Sequence, residues 1–196
     1  MKVLITGATG FLGTNIVKQC LNQGYKVRGF GFPGSPTKYI EGDNVEIEFG
    51  DVCDKDAVKH AMNGVNAVIH VAGDTSFWKK RFERQRRTNI EGPRTIMQAA
   101  LEEGVKRVVC TSTVDTFGFN PHGLADESWA DFNYMGWGYN YAETKREGEK
   151  VALSFNCADL EVVVLNPGSM IGPYDFTLQF GRLFLDIRDG KVPGIP

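Results

Sequence analysis

The sequence lacks any strong excess of charge of one sign. Its 196 residues include 22 lysines and arginines against 24 aspartates and glutamates, which gives a formal net charge of −2. A basic run stands out only at residues 78–87, WKKRFERQRR, and acidic residues elsewhere in the chain offset it. Because proteins bind nucleic acid through a basic face, this balance argues against a nucleic-acid partner.

The sequence also lacks long apolar runs, so we expect no segment that spans a bilayer. The N-terminal MKVLITG is interrupted too early to form the apolar region of a secretory signal. The four cysteines, Cys20, Cys53, Cys110 and Cys157, stand apart without a Cys-x-x-Cys pair. These absences predict buried, reduced thiols, no metal site, no membrane association and a cytoplasmic protein.

Apolar runs of strand length alternate with segments of helical periodicity. Strands are predicted at 2–6, 26–32, 45–51, 66–73, 105–113 and 160–168, and helices at 11–23, 54–64, 87–103, 139–155 and 177–190. Several strands are almost entirely apolar, as strands buried on both faces are. The pattern predicts an α/β fold with a parallel sheet and helices on both of its sides. A long, aromatic-rich loop at 117–138 is the expected place for substrate contacts.

Three glycines interrupt the first strand-to-helix connection, in the stretch VLITGATGFLGTNIV. Glycine destabilises strands and helices, so the cluster needs a physical reason. Gly7 suits a tight turn, Gly10 lets backbone N–H groups approach a pyrophosphate, and Gly13 lets the helix pack closely on the strand. In the first βα turn of an alternating chain this spacing predicts a dinucleotide site, with an ordinary glycine-rich turn as the alternative.

The chain resembles the extended short-chain dehydrogenases/reductases, the superfamily of NAD-dependent epimerases and dehydratases. The motifs that carry the resemblance are TGATGFLG at 6–13, GDVCD at 50–54, HVAG at 70–73, TNIEG at 88–92, TSTVDTFG at 111–118, YAETK at 141–145 and NPGSMIGP at 166–173. The chain is most similar to the branch of dihydroflavonol reductases and 3β-hydroxysteroid dehydrogenases. The resemblance implies a doubly wound parallel sheet, the Rossmann fold, in three α/β/α layers.

The resemblance also implies a bound nicotinamide dinucleotide. The residues expected to contact it are Gly7, Thr9, Gly10, Phe11, Leu12, Gly13, Asp51, Val52, Val71, Ala72, Gly73, Tyr141, Lys145, Pro167 and Ser169. Among them, Asp51 is expected to meet the adenine.

The end of the second strand bears on the choice between NAD and NADP. NAD-preferring members carry an acidic residue there, whereas this chain has Gly31, followed by Phe32 where reductases carry arginine. Nothing at this position repels a 2′-phosphate, so NADP is predicted, with NAD as the alternative. The residues expected to bind the phosphate are Ser35, Thr37, Lys38 or Arg28.

Tyr141 and Lys145 lie four residues apart, on one face of a predicted helix. A free phenol has a pKa of about 10, and an adjacent ammonium lowers that pKa, so Tyr141 is expected to exchange a proton with a carbonyl oxygen. The resemblance implies that Lys145 also holds the nicotinamide ribose and that Thr113 polarises the carbonyl, with Ser112 as its competitor. It further implies that Asn89 supports a proton relay to Lys145; a helix cap is the alternative role for this asparagine.

The predicted reaction is hydride transfer between NAD(P)H and a carbonyl or hydroxyl group of a small apolar substrate, by a Thr-Tyr-Lys triad. Aromatic residues expected to form an apolar wall are Phe77, Trp78, Phe119, Trp129, Phe132, Tyr134 and Trp137, with loop packing or a partner surface as the alternative. A sugar-nucleotide epimerase or dehydratase is the alternative reaction. Dehydratases place two carboxyls after the threonine, whereas here Val114 takes the first position and Asp115 the second. A non-catalytic NADP-binding sensor or scaffold is the alternative of another class.

Two expectations concern the domains of the chain and its association with a second copy. Residues 1–175 are expected to form the NAD(P)-binding domain, and 176–196 the start of a C-terminal substrate-binding region of which the remainder is missing or truncated relative to the family. The resemblance also implies a homodimer, through a four-helix bundle made by the segments 87–103 and 139–155.

Overall fold

The computed structural model describes residues 1–76, 79–129, 131–136, 138–192 and 194, and within them a six-stranded parallel sheet forms the centre of the fold. The strands are β1 (Lys2–Thr6), β2 (Lys26–Gly31), β3 (Val45–Phe49), β4 (Ala67–His70), β5 (Arg107–Thr111) and β6 (Glu161–Leu165). They pair in the order β3-β2-β1-β4-β5-β6. This order confirms the predicted Rossmann arrangement, in which the direction of winding reverses beside β1.

Helices follow each of these strands except β2, which leads to β3 through a loop. They are α1 (Phe11–Asn22), α2 (Lys55–Met62), α3 (Phe82–Arg86), α4 (Gly92–Glu102), α5 (Asn140–Leu153) and α6 (Gly181–Arg188). A π-helical turn, Arg87–Glu91, joins α3 to α4, so the helix predicted at 87–103 begins earlier and is irregular around residue 89. Within the described residues, none of the helices combines the length and the apolar character needed to cross a bilayer.

Apolar side chains cover both faces of the sheet. β1 sends Leu4 into a large cluster with residues of α2, α4 and α5, and sends Val3 and Ile5 into a smaller cluster with α1. Burial on two faces explains why the central strands are almost entirely apolar. α6 buries none of its residues.

The cysteines only partly follow the expectation of buried thiols. Cys20 and Cys110 are buried, Cys53 is half-buried and Cys157 is exposed; all four are free. Cys157 differs because it lies in the turn between α5 and β6, outside the apolar run that buries Cys110.

Candidate active site

The glycine turn lies between β1 and α1, at the carboxyl edge of the sheet. Gly7 has a φ of +67°, and a Cβ added to it would lie 2.9 Å from the Ala72 nitrogen. A Cβ on Gly13 would overlap the Gly7 carbonyl oxygen and lie 2.8 Å from the Ala8 Cα. The tight turn and the close packing expected of these two glycines are therefore present, with α1 resting directly on the turn.

The N-terminus of α1 is suited to an anion. Its N-cap residue, Gly10, is exposed and has no side chain to cap the helix, and the first turn of α1 contains no acidic residue. The N–H groups at a helix N-terminus attract phosphate. A Cβ on Gly10 would approach the Gly7 carbonyl oxygen, at 3.3 Å, and would fill part of the concave turn. The turn thus fits the pyrophosphate of a dinucleotide.

The segment after β4 connects the glycine turn to Lys145. The Thr6 hydroxyl accepts hydrogen bonds from the amides of Val71 and Ala72, each at 3.2 Å, which fixes this segment beside Gly7. A Cβ on Gly73 would lie 3.9 Å from Lys145 Nζ. The carboxyl ends of β1 and β4 therefore place the glycine turn and this lysine on one continuous surface.

Asp51 is an ionised acceptor after β3. Its Oδ1 accepts the Cys53 amide at 2.9 Å and its Oδ2 lies 2.7 Å from Arg87 Nη1. Although burial opposes the charge, these contacts hold the pKa of Asp51 below its usual value. Arg87, which the sequence analysis did not assign to the cofactor, therefore lies against Asp51, the residue expected to meet the adenine.

The other residues expected along the cofactor differ in their placement. Val52 is buried in the core, where its Cγ2 would lie 3.1 Å from a Cβ on Gly92. The carbonyl oxygen of Pro167 accepts the Val114 amide at 3.1 Å, so the turn after β6 lies beside the loop that carries Thr113. Thr9 is buried, Phe11 and Leu12 are half-buried, and Ser169 is exposed.

Thr113 and Tyr141 lie together at the start of α5, where the Thr113 side chain acts to lower the pKa of the Tyr141 phenol. The Thr113 hydroxyl also lies 3.3 Å from Asp115 Oδ2, and this carboxylate accepts a hydrogen bond from the Tyr139 hydroxyl at 2.8 Å. Two of the three predicted triad residues are therefore in contact. The sequence did not predict the Tyr139–Asp115 pair, although Tyr139 precedes the YAETK motif by two residues.

The pKa of Tyr141 is raised, which is the opposite of the expectation. Burial of the phenol is the main cause and the charge of Asp115 adds to it, while the hydrogen bond with Thr113 opposes both. The expectation that Lys145 lowers the pKa of Tyr141 is wrong for this structure. Lys145 Nζ donates instead to the Thr111 carbonyl oxygen, at 2.7 Å. Tyr141 is consequently a neutral phenol at physiological pH, able to donate a proton.

Asn89 braces the backbone around the site. Its Nδ2 donates to the Asp74 carbonyl oxygen at 3.0 Å and to Thr144 Oγ1 at 3.1 Å, and its Oδ1 accepts the Asp74 amide at 2.8 Å. A Cβ on Gly148 would overlap the Asn89 carbonyl oxygen, so the π-helical turn touches α5 here. In the part of the chain that the structure describes, the Asn89 side chain is hydrogen-bonded to Asp74 and to Thr144 of α5 rather than to Lys145, which differs from both the expected relay and the cap.

An aromatic row leads from the long loop to Tyr141. Ring centroids are 5.8 Å apart for Phe132 and Tyr134, 5.8 Å for Tyr134 and Tyr139, and 6.3 Å for Tyr139 and Tyr141. Phe132 and Tyr134 of the predicted apolar wall thus lie in this row. Phe119 is exposed, and Trp129 Nε1 donates to the Asp131 carbonyl oxygen. Phe77, Trp78 and Trp137 lie outside the described residues.

Comparison with known proteins gives matches over nearly the whole chain. The model of the NAD dependent epimerase/dehydratase family matches residues 3–189. Sterol demethylase protein B of Methylococcus capsulatus is 35% identical over 199 residues, which cover 99% of this chain and 60% of that protein. A putative dihydroflavonol 4-reductase of Synechocystis is 34% identical over 191 residues, covering 96% of this chain and 55% of that protein. The chain thus spans between 55% and 60% of the length of these two curated relatives.

A solved structure shows the same fold with a dinucleotide bound. DesIV, a dTDP-glucose 4,6-dehydratase from Streptomyces venezuelae crystallised as a double mutant with NAD, superimposes with a TM-score of 0.82 at 26% identity. The match covers 97% of this chain and 63% of that one.

Proposed function

The chain belongs to the NAD dependent epimerase/dehydratase family, and we propose that it is an oxidoreductase of the extended short-chain type that transfers a hydride between NADPH and a carbonyl or hydroxyl group of a small apolar substrate. One observation supports this most strongly. The glycine turn is continuous with Lys145 through Ala72 and Gly73, and the hydroxyls of Thr113 and Tyr141 meet just beyond β5. Dinucleotide-binding and proton-donating groups therefore share one edge of the sheet.

The dinucleotide would be held by the glycine turn, by Asp51 and by the segment 71–73, and when bound it supplies the hydride. Tyr141 donates its phenolic proton to the substrate carbonyl oxygen, since its raised pKa keeps the proton in place until it is needed. The Thr113 hydroxyl hydrogen-bonds the same oxygen and polarises the carbonyl. We assign Lys145 to the ribose of the cofactor, as the resemblance implies. The neutral phenol is the protonation state that carbonyl reduction requires.

The proposed preference for NADP rests on the loop after β2. DesIV carries NAD, but here Gly31 ends β2 with no carboxylate to bind a ribose hydroxyl. Arg28 is not available for a 2′-phosphate, because it pairs with Glu46 and Glu48 at 2.9 and 3.2 Å. Lys38, which is exposed, is the remaining cation among the residues considered for this role.

We expect Lys38→Ala to raise the Kd for NADPH about fivefold, equivalent to ~1 kcal/mol for one exposed ion pair, and to leave the Kd for NADH unchanged. Calorimetric titration of both cofactors measures the two values. Arg28→Ala is the matched control, since any loss it causes should be equal for the two dinucleotides. An equal loss of NADPH and NADH affinity in Lys38→Ala would contradict the assignment.

The reaction itself is tested by following NADPH absorbance with a panel of apolar aldehydes and ketones. We expect oxidation of NADPH that depends on both enzyme and carbonyl. Binding of NADPH without turnover across the panel would favour the sensor or scaffold instead.

A sugar-nucleotide dehydratase or epimerase is the second candidate, favoured by one observation. Asp115 lies within hydrogen-bonding distance of Thr113 and Tyr139, at the position of the second dehydratase carboxyl. The first position is Val114, which is 42% exposed and has no proton to exchange. Adding a nucleotide sugar to the same assay, with product analysis, distinguishes the two candidates.

The two organisational expectations stay proposals. An apolar face on α6 supports the assignment of 176–196 to a substrate-binding region, because Leu183, Phe184 and Ile187 are all at least 45% exposed. The homodimer through 87–103 and 139–155 has no further support beyond the packing of α4 on α5 within one chain.

A further inference from the structure

A carboxylate that the proposed reaction does not use lies one helical turn after Lys145. Glu149 Oε2 accepts hydrogen bonds from Ser112 Oγ at 2.6 Å, from Asn166 Nδ2 at 2.9 Å and from Thr116 Oγ1 at 3.1 Å. These three donors come from the loop after β5 and from the end of β6. The Glu149 side chain therefore links α5 to the loop after β5 and to the end of β6.

The partners of Glu149 hold the backbone of Thr113. The Thr113 carbonyl oxygen lies 2.9 Å from Thr116 Oγ1 and 3.1 Å from Asn166 Nδ2. On either side of Thr113, the Ser112 amide donates to the Leu165 carbonyl oxygen at 2.7 Å and the Val114 amide to the Pro167 carbonyl oxygen at 3.1 Å. The position of the Thr113 hydroxyl relative to Tyr141 therefore depends on a network whose common acceptor is Glu149.

Glu149 also belongs to the electrostatic surroundings of Lys145. A cavity of about 10 Å³, close to the volume that one water molecule needs, is lined by both residues together with His70 and Cys110. Burial lowers the pKa of His70 to about 3 and raises that of Cys110 to about 11, so both are neutral. Among these described cavity groups, Glu149 is the one that supplies negative charge to the buried ammonium. Burial lowers the pKa of Lys145, and interactions with Cys110 and then with Glu149 oppose this. Because the Cys110 thiol is neutral at physiological pH, the charge present there is that of Glu149.

We propose that Glu149 is a positioning residue, which fixes the Thr113 loop against α5 and places a carboxylate in the cavity beside the Lys145 ammonium. This inference rests on the proposed function, in which Thr113, Tyr141 and Lys145 act together. Glu149 itself touches neither of the hydroxyls assigned to the substrate, so it acts through its neighbours.

Two variants test separately the position of the Glu149 oxygen acceptor and the charge of its carboxylate. Glu149→Gln keeps an oxygen acceptor at the same reach and removes the charge, whereas Glu149→Asp keeps the charge and withdraws the acceptor by one methylene. We expect each to lower kcat about 10- to 100-fold with less than about a threefold change in KM, because misplacement of reacting groups affects the chemical step. The alkaline limb of the pH–rate profile should move to lower pH in Glu149→Gln alone, because its Lys145 loses a stabilising charge.

The decisive measurement does not require turnover. In the full chain labelled with ¹³C at the lysine side chains, and assigned with Lys145→Arg, the Lys145 resonance should titrate at lower pH in Glu149→Gln than in the wild type or Glu149→Asp. If the wild type reduces no substrate, the oxidoreductase proposal fails while this titration still decides the role of Glu149.

Glu147→Gln is the matched control, since Glu147 lies on the same helix, is 46% exposed and faces Arg86 at 3.5 Å. It should leave kcat and the Lys145 titration unchanged. Should Glu149→Gln fail to fold, Thr116→Val removes one network hydroxyl at nearly constant shape and should lower kcat about 3- to 10-fold. Wild-type kcat and an unmoved Lys145 titration in folded Glu149 variants, or wild-type kcat in Thr116→Val where Glu149→Gln does not fold, would overturn the proposal.

Discussion

Tyr141→Phe is expected to lower kcat for carbonyl reduction about 10²- to 10⁴-fold, the contribution typical of a positioned general acid. The phenylalanine ring retains the packing against Tyr139, whose centroid lies 6.3 Å away, so the substitution removes the proton donor together with its interaction with Thr113. The affinity for NADPH should change less than about twofold, because the glycine turn, Asp51 and the segment 71–73, which are proposed to hold the cofactor, are unchanged. Single-turnover measurement of NADPH oxidation, together with calorimetric titration of the cofactor, separates the chemical step from binding.

Tyr139→Phe is the matched control for this variant. It removes a hydroxyl that donates to Asp115 at 2.8 Å, and it leaves Thr113 and Tyr141 in place. We expect a loss in kcat below about tenfold, as for one hydrogen bond near a site. Similar losses in Tyr139→Phe and Tyr141→Phe, or full activity in the latter, would rule out Tyr141 as the acid.

The pH dependence of reduction follows from the direction of the Tyr141 shift. A raised pKa means that the phenol stays protonated up to and beyond pH 10, so Tyr141 remains a competent acid across the physiological range. The alkaline limb of kcat/KM is therefore expected to come from Lys145, whose pKa burial lowers from 10.5. The alkaline limb would instead belong to Tyr141 if the residual activity of Tyr141→Phe showed no alkaline limb while the limb of Glu149→Gln stayed at its wild-type pH.

Local features of the sequence sufficed for the architecture and for the glycine turn. The parallel α/β sheet follows from apolar runs that alternate with helical segments, whereas its doubly wound order was implied by the family resemblance. The turn follows from three glycines: Gly13 packs against Gly7 and Ala8, a few residues away, although Gly7 lies against Ala72 after β4. The role of Asp54 as the N-cap of α2 is also predictable from the sequence. Its carboxylate accepts hydrogen bonds from the amides of Asp56 and Ala57, which are only two and three residues further along the chain.

The features that the sequence did not predict join residues distant along the chain. Glu149 and Ser112 are 37 positions apart, and Arg28 reaches the Ala61 carbonyl oxygen across 33 positions. The sign of the Tyr141 shift had the same origin. The spacing in YAETK indicated a nearby cation, but it gave neither the burial of the phenol nor the Thr111 carbonyl oxygen that takes up the Lys145 ammonium. Electrostatics at this site depends on packing that periodicity does not describe.

The second large effect is expected in the glycine turn, where one substitution should lower the stability of the fold and another should lower the affinity for the cofactor. In Gly13→Ala the new Cβ would meet backbone atoms, 2.7 Å from the Gly7 carbonyl carbon and 2.8 Å from the Ala8 Cα, which cannot rotate away as a side chain can. We expect the free energy of unfolding to fall by about 3 kcal/mol, at the upper end of the cost of overpacking. For a chain of this size that lowers Tm by roughly 6–12 °C. Urea denaturation followed by circular dichroism measures the loss.

Gly10→Ala tests the ligand side of the same turn. Gly10 has an extended backbone, with φ of −84°, that alanine also adopts, so the unfolding free energy should fall by less than about 1 kcal/mol. The added methyl group would instead occupy the concave side of the turn, and the Kd for NADPH should rise at least about tenfold, or ~1.4 kcal/mol. Wild-type stability in Gly13→Ala would refute the close packing of α1 on the turn. Wild-type NADPH affinity in Gly10→Ala would instead contradict the phosphate site and leave the fold unaffected, because a Cβ on Gly10 only approaches the Gly7 carbonyl oxygen whereas one on Gly13 overlaps it.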